Sequence, residues 1–501
     1  MDDKGNQDKN QSQPVTSGNV FGGNVPENIQ PEEVAPDVAN PNDVLGTIPP
    51  DVSQDVPVYE EGKRKYLIIA FAGIFFVIIV VLIVRYLLGN RFIFPAGTPA
   101  ISDKEVTLTY WGLWEEKEIY EPLINEFQKK YPKVHIKYEK QSPQQYREKL
   151  LARKENGPDL FRFHNTWLPE IQEMVAFLPD EVMSAQEYEK TFYPVAQKDF
   201  KIGDKYYGIP LYIDGLVLVY NDTLLKQAGI SAPPSAWIEQ SGGGGDMLSA
   251  VGKLTVRDAN NTLITSGFAA GTSDNVEHFS GLFGLLLALN GGDLKQLDNN
   301  QAVGALQLYR KFAEDNYWNS SMPNSISAFI QGKVAMIIVP SWEILVIKAQ
   351  NPDLVVKVAP IPKGLDGKSI SIADYWAEGV SRYSKNQLVA WQFLKFLSAY
   401  DSELKLFEQQ SKTRLFGNAY SRVDLAEKLS GHEYLTSVIS QANSYISLPL
   451  IARTYDGGLN DEIIQYLRNA ITATSQGVDY QAALVTAKSG VDQVLSRYKI
   501  E

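Results

Sequence analysis

At 501 residues the chain is long enough for two sizeable cores, and its net charge of −12 leaves no basic stripe for a nucleic-acid backbone. The absence of cysteine excludes disulfides, thiolate metal sites and cysteine nucleophiles. His135, His164, His278 and His432 form no metal-ligating pair and no G-x-S-x-G elbow occurs, so no metal, cofactor or catalytic nucleophile is expected.

Residues 1–62 are rich in Asn, Gln, Pro, Asp and Gly. Such a segment buries too little apolar surface to offset its ordering entropy, so a disordered acidic tail is expected. Tyr66 to Val84 is an uninterrupted apolar run without a charge, extended by Arg85-Tyr86-Leu87-Leu88. As a helix it spans about 30 Å, the thickness of a bilayer core, so residues 66–88 are expected to cross a membrane once. The only small-residue cleavage candidate, Ala96 to Ala100, contains Pro99, which favours retention over removal as a signal peptide. Lys63-Arg64-Lys65 precede the run while Arg85 and Arg91 follow it, which places the N-terminus in the cytoplasm and the C-terminal domain outside. Residues 89–103, with Pro95 and Pro99, form a linker.

From residue 104 onward strands and helices alternate. Val106, Leu108 and Tyr110 alternate with Thr107 and Thr109 as a strand. Ile119, Leu123, Ile124 and Phe127 recur at helical spacing, and Val134-His135-Ile136 opens a second strand. GPDLFRFHNTWLPEIQEM supplies the next strand, loop and helix. In KYYGIPLYIDGLVLVYN, Pro210 belongs at a strand start or edge because it cannot donate a ladder hydrogen bond. Leu216 to Tyr220 reads as a buried strand, Tyr212 and Asp214 as a joint made flexible by Gly215, and the next ten residues as a helix closed by Gly229. Ser241 to Asp246 mark a loop or helix entry, and Gly252-Lys253 followed by Leu254 fails as a phosphate loop. QGKVAMIIVPSWEI places an apolar strand before an aromatic loop, and SKNQLVAWQFLKFLSAYDSELKLFEQQ reads as two helices.

The order Gly203, Tyr206, Tyr207, Gly208, Pro210, strand, Tyr220, Asn221, helix, Gly229, Pro233, Pro234 and Trp237 resembles the first interlobe crossing of the extracellular solute-binding proteins of ABC importers, the maltose-binding-protein-like group. The other blocks follow in that family's order over most of residues 105–500. The resemblance implies an α/β two-lobe periplasmic-binding-protein-like fold (type II) over 104–501. Lobe one would hold about 104–213 and 357–403, lobe two about 217–353 and 405–501, with a second crossing at Pro360 to Gly364. Many such proteins are anchored through a lipid-modified cysteine. This chain has none, and its expected membrane helix takes that place.

Loops at the carboxyl ends of strands line the crevice of an α/β sheet, and flat rings there suit the C–H face of a sugar while polar neighbours take its hydroxyls. Trp111, Trp114, Glu115, Asn165, Trp167, Tyr212, Asp214, Trp342, Tyr375, Trp376, Glu378, Arg414 and Tyr455 are therefore expected to bind ligand. Trp342, Trp376, Tyr212 and Trp114 match the family's cleft loops, whereas Trp318 and Trp391 lie in helical patterns and read as core. The resemblance implies a monomeric, non-enzymatic receptor that passes a mono- or oligosaccharide to ABC permease subunits. The alternatives are a cell-surface glycan-binding adhesin or sensor, and a glycoside hydrolase using cleft acids among Glu115, Glu116, Asp214, Asp374 and Glu378.

Overall fold

The computed structural model describes residues 104–238, 245–364 and 366–500. The expected tail, membrane helix and linker lie outside these, as does the expected loop at Ser241 to Gly244. Among the described residues no helix is long and apolar enough to cross a membrane. The fold is mixed α/β with two lobes.

Lobe one opens with β1 (Val106–Gly112), α1 (Lys117–Lys130) and β2 (Val134–Lys140). It continues through α2 (Tyr146–Arg153), β3 (Leu160–His164) and α3 (Leu168–Ile171) to the short strand β4 (Ile209–Pro210). The helical repeat expected for α1 is the face it buries: Ile119, Leu123, Ile124 and Phe127 pack inward. After Leu211–Gly215 the chain enters lobe two with β5 (Leu216–Asn221), then β6 (Val256–Arg257), β7 (Leu263–Phe268), α4 (Phe279–Leu289) and α5 (Asn300–Glu314). There follow β8 (Val334–Pro340), all seven residues buried, α6 (Glu343–Gln350) and β9 (Val356–Ala359).

The return runs through β10 (Ser371–Ile372) into β11 (Trp376–Val380), α7 (Gln387–Leu397) and α8 (Tyr400–Ser411). The chain ends with β12 (Tyr445–Ile446) and the helices α9 (Leu459–Ser475) and α10 (Tyr480–Arg497). The lobe-one sheet has the order β2-β1-β3-β11-β4 and the lobe-two sheet β9-β5-β8-β7-β6. β11 is antiparallel to β3 with Trp376 opposite His164.

The chain changes lobes at other residues than the resemblance implies. β9 pairs with β5, and Lys363 bridges Ala236, so Pro360 to Gly364 stay with lobe two. The second crossing meets the first at Ala373 and Asp374: Ala373 bridges Gly215 and the Asp374 N–H donates to the Asp214 carbonyl at 3.0 Å. Gly215 is small by necessity there, since a Cβ would fall 2.6 Å from the Ile372 carbonyl oxygen and 2.7 Å from the Tyr445 ring. α8, expected in lobe two from residue 405 onward, packs on α1, with Lys405 paired to Glu126 at 2.5 Å. Ser421 still donates to the Pro210 carbonyl of lobe one at 2.8 Å, and Gln441 reaches the Leu216 carbonyl of lobe two at 2.7 Å, so a third crossing lies between them.

Candidate functional site

The crossings bring the ends of β3, β11 and β8 together, and Asp214 and Asp374 occupy the junction. Both are buried. Asp214 Oδ1 accepts from the Gly215 N–H at 2.7 Å and the Ser341 N–H at 3.3 Å, and its Oδ2 accepts from the Trp342 N–H at 3.3 Å. A carboxyl group thus faces the N–H groups that open α6. Burial, and next the Asp374 charge, still push Asp214 up to about 7.

Asp374 accepts from Trp342 Nε1 at 3.2 Å and contacts His164 Nε2 at 3.0 Å. The Thr166 N–H, which can only donate, points at His164 Nδ1 at 3.3 Å, so Nδ1 accepts and Nε2–H donates to Asp374. Thr166 Oγ1, 2.9 Å from Nδ1, accepts in turn from Asn460 Nδ2 at 2.7 Å. A continuous chain of side chains therefore runs from α9 of lobe two, through lobe one, to the Trp342 indole back on lobe two.

Rings gather beside this chain. Trp114 is 39% exposed, with its ring 5.9 Å from Trp376 and 6.2 Å from Tyr455. Trp376 is only 7% exposed, wedged among Trp114, His164 at 5.2 Å and Trp167 at 5.1 Å. Trp342 is half-buried, with the Arg453 guanidinium 5.7 Å from its ring centre and His278 edge-on at 5.8 Å. Arg453 is fixed by Glu277 at 2.6 Å and Glu343 at 3.1 Å, and Glu343 also meets His278 at 2.9 Å. Tyr212 is half-buried on the first crossing, where burial raises its hydroxyl well above the usual range. A polar cavity of about 240 Å³ beside Arg453, lined by Ser273, Asp274, Glu277, Asn324 and Arg468, lies on lobe two, off the ring cluster.

Of the thirteen expected site residues, the structure joins Trp114, Trp376 and Tyr455 through ring contacts and Asp214 and Trp342 through hydrogen bonds at the same junction, with Tyr212 two residues before Asp214 on the first crossing. Trp167 is fully buried behind Trp376 and backs the cluster without reaching its surface. Five others are structural. Trp111 faces the sheet's far side, donating to Glu139 at 3.0 Å beneath Lys149. Glu115 and Glu378 are both buried on Arg162, Glu378 at 2.7 Å. Burial works against the charge on each; Arg162 outweighs it at Glu115, which is lowered, whereas Glu378 stays raised. Tyr375 is fully buried and donates to Asp199 at 2.7 Å. Asn165 joins the same cluster through Asp199 at 3.0 Å and Ser447 at 2.8 Å. Arg414 lies toward Glu115 instead, holding the Phe416 carbonyl at 3.0 Å and Asn418 at 2.7 Å.

Sequence reading missed His164, Thr166, Asn460 and Arg453, and left Asp374 out of the ligand set. Asp374 and the aromatic loop at Trp342 were visible as cleft-loop residues, but no spacing signals the pairing of Thr166 with Asn460. Among the described residues no group of three or more His, Asp or Glu could hold a metal ion.

The model of one family, bacterial extracellular solute-binding protein, matches residues 122–416, and the chain belongs to that family. It is similar to the sugar-binding protein MalE of Xanthomonas citri, with a TM-score of 0.64 at 18% identity over 78% of this chain and 98% of that one. The structure of CpMnBP1 with mannotriose bound gives a TM-score of 0.57 at 25% identity, covering 77% of this chain and all of the other. The maltotriose-binding protein of Pyrococcus abyssi is 22% identical over 307 residues, 58% of this chain. The chain spans about three fifths of the length of the curated relatives it matches, 61% in that case.

Proposed function

We propose that the chain is a membrane-tethered receptor that captures a mono- or oligosaccharide between its lobes and presents it to an ABC permease, without catalysis of its own. The observation that carries this reading is the pair of rings Trp114 and Tyr455, backed by Trp376 and joined through His164 and Asp374 to the Trp342 indole that Arg453 flanks. The rings offer apolar faces to a sugar, and the guanidinium and carboxyl groups around them suit its hydroxyls. A relative named for maltotriose and a similar structure with mannotriose bound support the carbohydrate class. Against a hydrolase stand the junction acids: every oxygen of Asp214 and Asp374 is engaged by backbone N–H, indole or imidazole, and Glu115 and Glu378 are held by Arg162. A glycosidase needs one carboxyl free to protonate the leaving oxygen.

Tethering rests on the apolar run Tyr66 to Val84. The sugar class is tested by a thermal-shift panel of maltotriose, mannotriose and monosaccharides, since a ligand that binds only the folded chain raises its apparent stability. The tether is tested by fractionation: the full chain is expected with membranes, and recovery from the medium trimmed near Ala100 would contradict it.

A further inference from the structure

The loop that enters α9 belongs to lobe two by its helix, yet it lies on lobe one. Arg147 of α2 donates to the Asp456 carbonyl at 2.9 Å and pairs with Glu170 of α3, whose side chain is fully buried. Asn460 reaches Thr166 of lobe one at 2.7 Å while holding Asp456 Oδ2 at 2.9 Å. Fit is tight: a Cβ on Gly458 would fall 2.5 Å from Glu170 Oε2 and 2.8 Å from the Tyr498 hydroxyl. Arg453 and Tyr455, neither of them glycine, hold φ of +64° and +57°. Such backbone persists only where its surroundings over-determine it.

Two carboxyls, Glu170 from lobe one and Asp456 from lobe two, come within hydrogen-bonding reach of one another beside Gly458, whose N–H donates to Asp456 Oδ1 at 3.2 Å. Burial, then the Asp456 charge, pushes Glu170 up to about 9 despite Arg147. Asp456 is held below its ordinary value; burial opposes its charge, but the Asn460 side chain and backbone N–H and the Gly458 N–H outweigh that. The other titratable groups facing the pair are Arg147 from α2, Asp461 from α9, raised to about 6 by burial and then Asp456, and Tyr498 from α10, raised by burial and then Glu170.

We propose that Glu170 and Asp456 form a proton-held latch between the lobes. With one proton between them the Thr454–Asn460 loop docks on lobe one and, through Asn460, Thr166 and His164, fixes Asp374 and the Trp342 indole. When Glu170 releases that proton to solvent, two buried carboxylates oppose one another and the loop disengages. Glu170 is then a positioning residue that controls the cleft without touching a ligand. The latch concerns the lobes themselves and stands whichever solute fills the cleft, so its failure and that of the sugar reading are separate.

The absence of cysteine allows a direct test on the full chain. Nitroxides on cysteines introduced at exposed Lys129 and Lys253 report the interlobe distance by pulsed dipolar spectroscopy. Between about pH 7 and about pH 10 the wild type is expected to gain a longer-distance population, because Glu170 ionises in that window. Glu170→Gln still donates to Asp456 but cannot titrate, so it keeps the short distance at both pH values. Glu170→Ala and Gly458→Ala show the longer population already at about pH 7. An identical pH response in the wild type and Glu170→Gln overturns the latch, as does a folded Glu170→Ala with an unchanged distribution. Should the alanine variants not fold, the comparison of wild type with Glu170→Gln decides alone.

Discussion

Glu115 and Glu378 lie in the core of lobe one with a guanidinium between them, whereas Asp214 and Asp374 lie at the crossing with backbone N–H, indole and imidazole donors. All four are buried acids on or beside strand ends. In the first group the buried cation Arg162 holds both acids to the sheet, lowering Glu115 while burial keeps Glu378 raised. In the second, Asp214 is satisfied mainly by neutral donors and still sits near the point where a proton comes and goes. Burial alone does not separate a scaffold acid from one that belongs to a moving junction. The partner does.

Removing the cation breaks the comparison most severely. Arg162→Met leaves two buried carboxyls without their partner, and losing one member of a buried ion pair costs about 3–5 kcal/mol, read as a lowered urea midpoint. An unchanged midpoint would place Glu115 and Glu378 among exchangeable polar groups instead. Asp214 offers the smaller, pH-dependent counterpart. Its folded-state value is raised to about 7. Between the unfolded value near about 4 and about 7 the native state holds a proton that the unfolded state has lost, so stability falls by up to about 1.4 kcal/mol per pH unit as pH rises, and is flat above. Asp214→Asn should remove that part of the slope, seen as the difference between the two unfolding profiles; parallel profiles would show that Asp214 does not titrate there. At the bottom of the scale, Lys405→Ala breaks the exposed pair with Glu126 and should cost less than about 1 kcal/mol. A larger loss would mean that α8 is held to lobe one by charge more than by packing.

Most of the fold was legible because strands and helices show their period along the chain. The strand read at Leu216 to Tyr220 is β5, and Gly229, read as the close of the next helix, has φ of +70°. The lobe changes were less legible, since β9 carries the same β-branched pattern whichever sheet it joins. For the site, loop position found Trp114, Trp342 and Asp214. It could not tell which face of a strand end a side chain takes, and so Trp111, Glu378 and Tyr375, each close in sequence to a residue at the lobe junction, were expected there too. His164 ends β3, and its role depends on Asp374, 210 residues away, and on Asn460 through Thr166, 294 residues apart. No local spacing encodes such a chain of contacts.

Trp114 and Trp376 touch one another but differ in exposure, and a paired measurement on Trp114→Ala and Trp376→Ala tests the sugar cleft most directly. Titration with maltotriose and mannotriose, beside urea unfolding, is expected to show Trp114→Ala losing about 2 kcal/mol of binding, roughly thirtyfold, with its midpoint nearly unchanged. Trp376→Ala, truncated beneath it, should lose about 3–5 kcal/mol of stability through the cavity it leaves. Wild-type binding of these sugars that survives Trp114→Ala undiminished would contradict a ligand seat on this ring cluster.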